Sequence, residues 1–264
     1  MLVAGALLLP TTTVAQPSTY ECLIYPYVHV AVSSPVEGLL ERVLVDRGDL
    51  VREQDVIATL ESSVEKAAVL QARARAEIES ALKSNQVRLD FGVRRFQRTD
   101  EMYKKDLVPL KELDEAETTK LLAELGVLEA QENRRIAEMD LERAGALLKL
   151  RTIYSPVTGV VTERMLAPGE FAKQAPIVKI AQIHPLRIEV LLPVTMVGRV
   201  TVGMRAEVMP EVPVGGTHIA KVSVVDRVVD AASGTFGVRL DLPNPDYKLP
   251  AGLKCRVRFP VAPR

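Results

Sequence analysis

Apolar and polar positions change rhythm three times along this 264-residue chain. From Tyr20 to Ser33 they alternate through Val28, Val30 and Val32 with an interruption at Pro26, which predicts one or two strands. After Glu61-Ser62-Ser63 the rhythm lengthens. Residues 62–105 hold no proline and one glycine, and are rich in the strong helix formers Ala, Leu, Glu, Lys and Arg. Ile78, Leu82, Asn85, Leu89, Gly92, Phe96, Thr99 and Tyr103 recur at steps of four and three, predicting one helical rod of roughly 65 Å with Ser62 or Ser63 as N-cap. Asp106-Leu107-Val108-Pro109 ends it. Pro109 is expected at the first position of a second helix, whose early turns carry Glu112, Asp114, Glu115 and Glu117 where they complement its dipole. The second seam reads Leu121, Leu125, Leu128, Ile136, Met139, Leu147 and Leu150. Near-equal helices joined by a turn of about four residues form an antiparallel hairpin. Residues 183–264 return to short alternating runs (Leu186–Leu192, Arg205–Met209, Ile219–Val225, Phe236–Leu242, Lys254–Val261) separated by Pro/Gly turns, the pattern of a small antiparallel barrel. Met196–Val200 reads as one short helix within it.

The helical segment interrupts a repeat. Ser34–Ile57, SPVEGLLERVLVDRGDLVREQDVI, aligns without a gap with Ser155–Val178, SPVTGVVTERMLAPGEFAKQAPIV. Ser34/Ser155, Pro35/Pro156, Val36/Val157, Gly38/Gly159 and Gly48/Gly169 are identical, and further columns are apolar in both copies. Each copy lays out a turn, a short strand, a Gly-acid turn and another strand. Glycine at matching places implies either a positive φ or close approach of two chains. A unit this small cannot bury its apolar columns alone, so the copies are expected to pack on each other.

The 34 basic and 34 acidic residues cancel, which gives no reason to expect nucleic acid or an anionic membrane as a partner. The charges are uneven within the hairpin. Residues 62–105 carry ten Lys/Arg and six Asp/Glu, and residues 106–150 carry six and eleven, so the arms could attract or simply be solvated. Three scattered histidines and two cysteines form no metal-ligand pattern, and no phosphate loop, nucleophile elbow or HExxH is present. No catalytic, cofactor or metal residue is therefore assigned, and the protein is read as not an enzyme. The apolar run Met1–Pro10, with Thr13 and Ala15 permitting cleavage before Gln16, suits a secretory signal; an anchoring or unstructured start is the alternative. Export, an even cysteine count and positions in the first and last strands predict a Cys22–Cys255 disulfide.

Half-motifs of this kind are similar to the two halves of lipoyl and biotinyl carrier domains, in which a lysine between them bears the cofactor. Here Lys66 would lie in the first helical turn, where a solvated lysine is the expected role. Two half-lipoyl motifs split by a long α-hairpin and followed by a small barrel resemble the periplasmic adaptor, or membrane-fusion, family (HlyD-like) of tripartite efflux pumps and type I secretion systems. SPVEG and SPVTG carry the resemblance, with Val229-Asp230…Thr235…Val238-Arg239 and Asn244-Pro245…Leu249-Pro250-Ala251-Gly252 in the barrel.

It implies an elongated α+β protein. Its parts would be a leader (1–19), an N-terminal strand with the first half of a lipoyl-like domain (20–61), an α-hairpin (62–150), the second half (151–182) and a β-barrel (183–264). It implies a periplasmic, inner-membrane-associated homo-oligomer that joins an inner-membrane transporter of RND or ABC type to a TolC-like outer-membrane channel, with no cofactor. Relatives carry an Arg at the hairpin tip, an apolar residue four on and a Ser eleven on; here these are Arg98, Met102 and Pro109. The candidate partner-binding tip is Arg98, Met102, Leu107, Val108 and Pro109, and the candidate structural turns are Gly38, Gly48, Gly159 and Gly169. The departure at Pro109 alters or removes docking to a TolC-like channel. A carrier-like enzyme subunit and an envelope scaffold without a channel partner are the alternatives.

Overall fold

A computed structural model describes residues 19–260; the leader lies outside the described residues. The first half of the chain forms β1 (Thr19–Val32), β2 (Gly38–Val43), β3 (Leu50–Val51), β4 (Val56–Leu60), α1 (Ser63–Ala76), α2 (Ser80–Tyr103) and α3 (Leu110–Lys149). The second forms β5 (Thr152–Tyr154), β6 (Gly159–Arg164), β7 (Phe171–Ala172), β8 (Val178–Pro193), β9 (Arg205–Pro210), β10 (His218–Val225), β11 (Thr235–Leu242) and β12 (Lys254–Arg258).

The repeated stretches exchange strands. β2 pairs with β7 through Gly38–Ala172 and Leu39–Phe171, and β3 pairs with β6 through Val51–Gly159 and Leu50–Val160. Each pair becomes the other when the copies are swapped. The turns follow the same dyad. The Gly48 N–H donates to the Val161 carbonyl (2.8 Å) and the Val161 N–H to that of Asp49 (2.9 Å). In the other copy the Gly169 N–H donates to Leu40 (2.8 Å) and the Leu40 N–H to Glu170 (2.9 Å). Leu40, Ile57, Leu60, Val161, Ile177 and Ile180 from both copies fill one core.

The two columns of glycine that the half-motifs share serve different ends. Gly48 and Gly169 have φ of +95° and +90° with open space around them, so they are there for the backbone. Gly159 has no such φ, but a Cβ there would stand 2.4 Å from the Ala181 carbonyl oxygen, and at Gly38 it would meet the Arg151 guanidinium at 2.6 Å.

The remaining strands close a six-stranded barrel in the order β1-β12-β9-β10-β11-β8, with β8 pairing back to β1. Ile24, Leu186, Ile188, Val208, Val222, Leu240 and Val257 lie in its separate core. Cys22 and Cys255 face each other across β1 and β12 and are disulfide-bonded, with Cα atoms 4.8 Å apart.

Continuous strands bridge two interruptions of the sequence pattern, one of which leaves one or two strands open. β1 is one continuous strand, and β8 runs without interruption from the lipoyl-like half into the barrel, across the expected boundary at 182/183. Both strands carry a proline at the crossing, Pro26 and Pro185. The ladder shifts between Pro26 and Val28, so the missing N–H donors fall at the irregularity and not inside a regular ladder. The short helix expected at Met196–Val200 is instead a single 3-10 turn at Val194–Met196, stopped by Gly198 at φ +76°.

The hairpin differs from expectation in three ways. Its outgoing arm breaks between α1 and α2 at residues 77–79, with no proline or glycine to account for it. Pro109 is the N-cap of α3, with extended backbone (φ −72°, ψ 156°), and the helix starts at Leu110. Most consequentially, Leu121, Leu125, Leu128, Ile136, Met139, Leu147 and Leu150 are exposed. The inward face of α3 is made by Ala116, Ala123, Val127, Ala130, Ala137, Leu141, Ala144 and Leu148, all buried or half-buried at heptad spacing. Small side chains let the arms approach closely: at Gly92 a Cβ would be 3.2 Å from the Lys120 Cα, leaving no room for a branched residue. On α2 the expected seam does face α3 from Leu82 to Thr99, while Ile78 and Tyr103 at its ends are exposed. Ion pairs such as Lys83–Glu79 and Arg134–Glu138 stay within one helix; midway along the arms Lys120 Nζ lies 5.4 Å from the Phe96 ring centroid across the hairpin. No helix among the described residues is long and apolar enough to cross a membrane.

Candidate functional site

The hairpin is fixed at its root. Ser62 is buried and precedes α1, but its side chain makes no capping bond; Glu61 accepts the Ser63 N–H instead, at 2.8 Å. Hydrogen bonds from Ser63 hold the Glu61 carboxyl below the ordinary carboxylate range, so it stays ionised at the start of the helix, where a negative charge is favoured. After α3, Arg151 donates through Nη1 to the Glu37 carbonyl (3.1 Å) and pairs through Nη2 with Glu65 Oε1 (2.5 Å). One guanidinium thus ties the end of α3 to both the first turn of α1 and the first half-motif. Gly38 leaves the space it occupies. Lys66, also in the first turn of α1, is exposed and has its N–H bonded to the Ser62 carbonyl at 2.9 Å, as an ordinary helix lysine does.

At the far end α2 is closed by a left-handed residue. Asp106 has φ +58°, its N–H donates to Tyr103 O (2.9 Å), and the Leu107 N–H reaches back to Met102 O (3.0 Å). This turn places Met102 and Leu107 side by side and exposed, with Val108 half-buried and Pro109 exposed beyond them. Arg98 is exposed one turn back along α2. Sequence reasoning placed Tyr103 in the inner seam and took Leu110 as the end of the tip without giving it a role; both are exposed and flank the turn. Lys104 is held protonated by its bond to Asp100 (2.7 Å), which raises its pKa. The tip is therefore a small apolar knob ringed by charges of both signs.

Asn244 was named only as part of a barrel motif, and the structure gives it work. Buried, it receives the Leu249 N–H on Oδ1 (3.1 Å) and donates through Nδ2 to the carbonyls of Ile183 and Leu249 (both 3.0 Å). Its own N–H donates to His184 Nδ1 at 3.0 Å. The loop after β11 is in this way pinned to the point where β8 enters the barrel. Among the described residues no cluster of His, Cys, Asp and Glu suited to a metal ion occurs.

Comparison with known proteins agrees with this architecture part by part. Residues 28–182 match the family described as the CzcB-like barrel-sandwich hybrid domain, and residues 186–262 match the CusB-like beta-barrel domain. The crystal structure of MacA from Actinobacillus actinomycetemcomitans superposes with a TM-score of 0.76 at 20% identity, covering 92% of this chain and 78% of that one. The membrane fusion protein Spr0693 from Streptococcus pneumoniae gives 0.63 at 16% identity, covering 93% and 100%. A protein of Haemophilus influenzae is 22% identical over 239 residues, 90% of this chain and 56% of its own length. The chain spans a little over half the length of the curated relatives it matches.

Proposed function

The chain belongs to the membrane-fusion family of periplasmic efflux adaptors, and we propose that within it this protein is the physical link between an inner-membrane transporter, of RND or ABC type, and an outer-membrane channel. The observation that carries this reading is the hairpin itself. It leaves a small β domain by a clasped root and ends in an exposed apolar turn at Met102, Leu107 and Pro109. Nothing about that arrangement serves catalysis; it serves reach. The exposed leucine face of α3 supports a homo-oligomer in which hairpins stand side by side, since a long apolar stripe is costly to leave in water. The transporter is expected at the barrel and the channel at the tip. With Met102 and Pro109 at positions where relatives carry leucine and serine, the receiving channel must accept a bulkier, less polar knob.

Replacing Arg98 and Val108 together by Asp tests this. The double variant should lose export or drug tolerance while helicity, oligomeric state and co-purification with the transporter remain as in the wild type. Normal export by that variant at normal protein level overturns tip docking.

A further inference from the structure

The break in the outgoing arm has a cause that shows when the two arms are counted against each other. Gly92 is level with Lys120, since a Cβ on it would stand 3.2 Å from the Lys120 Cα, and Gly126 lies beside Asn85, 3.2 Å from its Oδ1 on the same measure. Counted back from that level, the inward positions Leu89, Asn85 and Leu82 of α2 fall opposite Ala123, Val127 and Ala130 of α3, residue for residue. α1 keeps a heptad of its own. Glu65, Val69, Ala72 and Ala76 are half-buried, and their half-buried counterparts on α3 are Leu148, Ala144, Leu141 and Ala137. The two counts differ by one: from Ala76 to Leu82 the outgoing arm has six steps, while α3 takes seven from Ala130 to Ala137.

One missing residue leaves a continuous α-helix about 1.5 Å short of its next layer. Residues 77–79 make up that length by leaving the helix. The ladder ends with the Glu77 N–H on Arg73 O (3.0 Å), tightens to a 3-10 bond from the Ile78 N–H to Arg75 O (3.2 Å), and restarts with the Lys83 N–H on Glu79 O (3.0 Å). Three residues at a rise of about 2.0 Å in place of 1.5 Å gain about 1.5 Å, which matches the deficit. No apolar layer clamps the arms at this height. Ile78 is exposed, and the inward position of α3 opposite the break is Arg134, which turns to Glu138 at 2.9 Å. The Glu79 carboxyl is held below the ordinary carboxylate range by Lys83, and the charge of Arg134 adds to this.

We propose that residues 77–79 are a length-adjusting link on which the hairpin bends. Two packed helices bend in their common plane only if one changes length relative to the other. α3 is unbroken from Leu110 to Lys149 and is the arm of fixed length; the link is the part that gives. When the link winds into α-helix the outgoing arm shortens by about 1.5 Å, which across an interaxial distance of roughly 9 Å is a bend of about 10°. Carried along the 24 residues of α2, roughly 36 Å, that bend swings the tip by about 6 Å. The Arg151–Glu65 clasp lies on the root side of the link and stays closed in both states. The device belongs to the hairpin alone, so its test is independent of what the tip docks on.

Inserting one alanine between Glu77 and Ile78 supplies the seventh step and removes the reason for the link. Leu70→Cys and Val87→Cys, both at exposed positions of the outgoing arm, carry nitroxide labels in the full-length protein. The native cysteines are disulfide-bonded and take no label. Pulsed dipolar spectroscopy should find two distances about 3 Å apart in the labelled protein without the insertion, and a single distance with it. Backbone amides of residues 78–82 should exchange with solvent about tenfold or more slowly once the alanine is present, because the helix then runs through. A single narrow distance without the insertion overturns the bend, and that measurement stands even where the insertion variant does not fold. Two distances or fast amides persisting in a folded insertion variant overturn it too, since the missing residue would not be what opens the helix.

Discussion

Gly159, at the start of β6, and Gly48, in a turn, are both glycines that the half-motifs repeat, yet a methyl group added to each meets different physics. At Gly159 it would collide with the Ala181 backbone, which is held in the β6–β8 ladder and cannot step aside; Gly159→Ala should cost about 3 kcal/mol. At Gly48 or Gly169 the space is free but the backbone is left-handed, so alanine should cost about 1–2 kcal/mol. At Gly38 the obstacle is the far end of the Arg151 side chain, which can move, and the loss should be about 1 kcal/mol. Urea unfolding midpoints of the four variants should fall in that order. The Cys22–Cys255 bond spans 233 residues of sequence, and the chain-entropy estimate for so long a loop is roughly 5 kcal/mol. Reduction, or Cys22→Ala with Cys255→Ala, should lower the thermal midpoint of the barrel by several degrees; an unchanged midpoint would show that the β1–β12 ladder holds without it.

At the scale of elements, the hairpin has two apolar faces on one helix. The alanine-rich face closes the hairpin and the leucine face is left over. Sequence reading took the larger side chains for the inner seam, because size usually marks burial. It could not see how closely the arms approach where Gly92 meets the backbone of Lys120. The strands of the repeat, the α2 seam and the barrel were legible because period and glycine placement are local properties. The continuity of β8 was not, and that of β1 stayed open, because a proline such as Pro26 interrupts a strand pattern unless the partner strand's irregularity is known. The tip residues were legible as a cluster, but Tyr103 read as part of the inner seam because it continues the spacing of Phe96 and Thr99, and only its exposure shows otherwise. If the leucine face joins protomers, Leu121→Lys with Leu125→Lys should shift sedimentation toward the monomer with circular dichroism unchanged. A wild-type oligomer in that variant would place the stripe outside the interface.

Across the whole molecule, the two cores are connected by shared strands. β1 contributes Ile24 to the barrel core and Val32 to the lipoyl-like core, and β8 contributes Ile188 and Ile180. The barrel and the lipoyl-like domain are thus joined by two paired strands and by the Asn244 anchor. The hairpin stands apart from this unit. Leu60 and Arg151, on either side of it, are bonded N–H to carbonyl at 2.8 Å, and β4 pairs with β5. Replacing residues 62–150 with a short Gly/Ser loop should leave a soluble protein with one cooperative thermal transition and the barrel disulfide intact; aggregation would show that the hairpin is needed to hold the halves together.

Because the half-motifs complete each other's sheets, the placement of the hairpin between them also imposes an order in time. A chain made from its N-terminus presents Ser34–Ile57 long before Ser155–Val178 exists. At a synthesis rate of about 5–20 residues per second the first half waits on the order of ten seconds with Leu40, Ile57 and Leu60 uncovered. The helices between them need only local contacts and zip in microseconds once made. As the last turn of α3 forms, it carries Arg151 to Glu65 and Leu60, so the late half is delivered to its partner by a nearly rigid arm and not by diffusion of a long loose loop. The same rigid length that is proposed to reach a partner in the mature protein brings, during biogenesis, the two ends of one domain home.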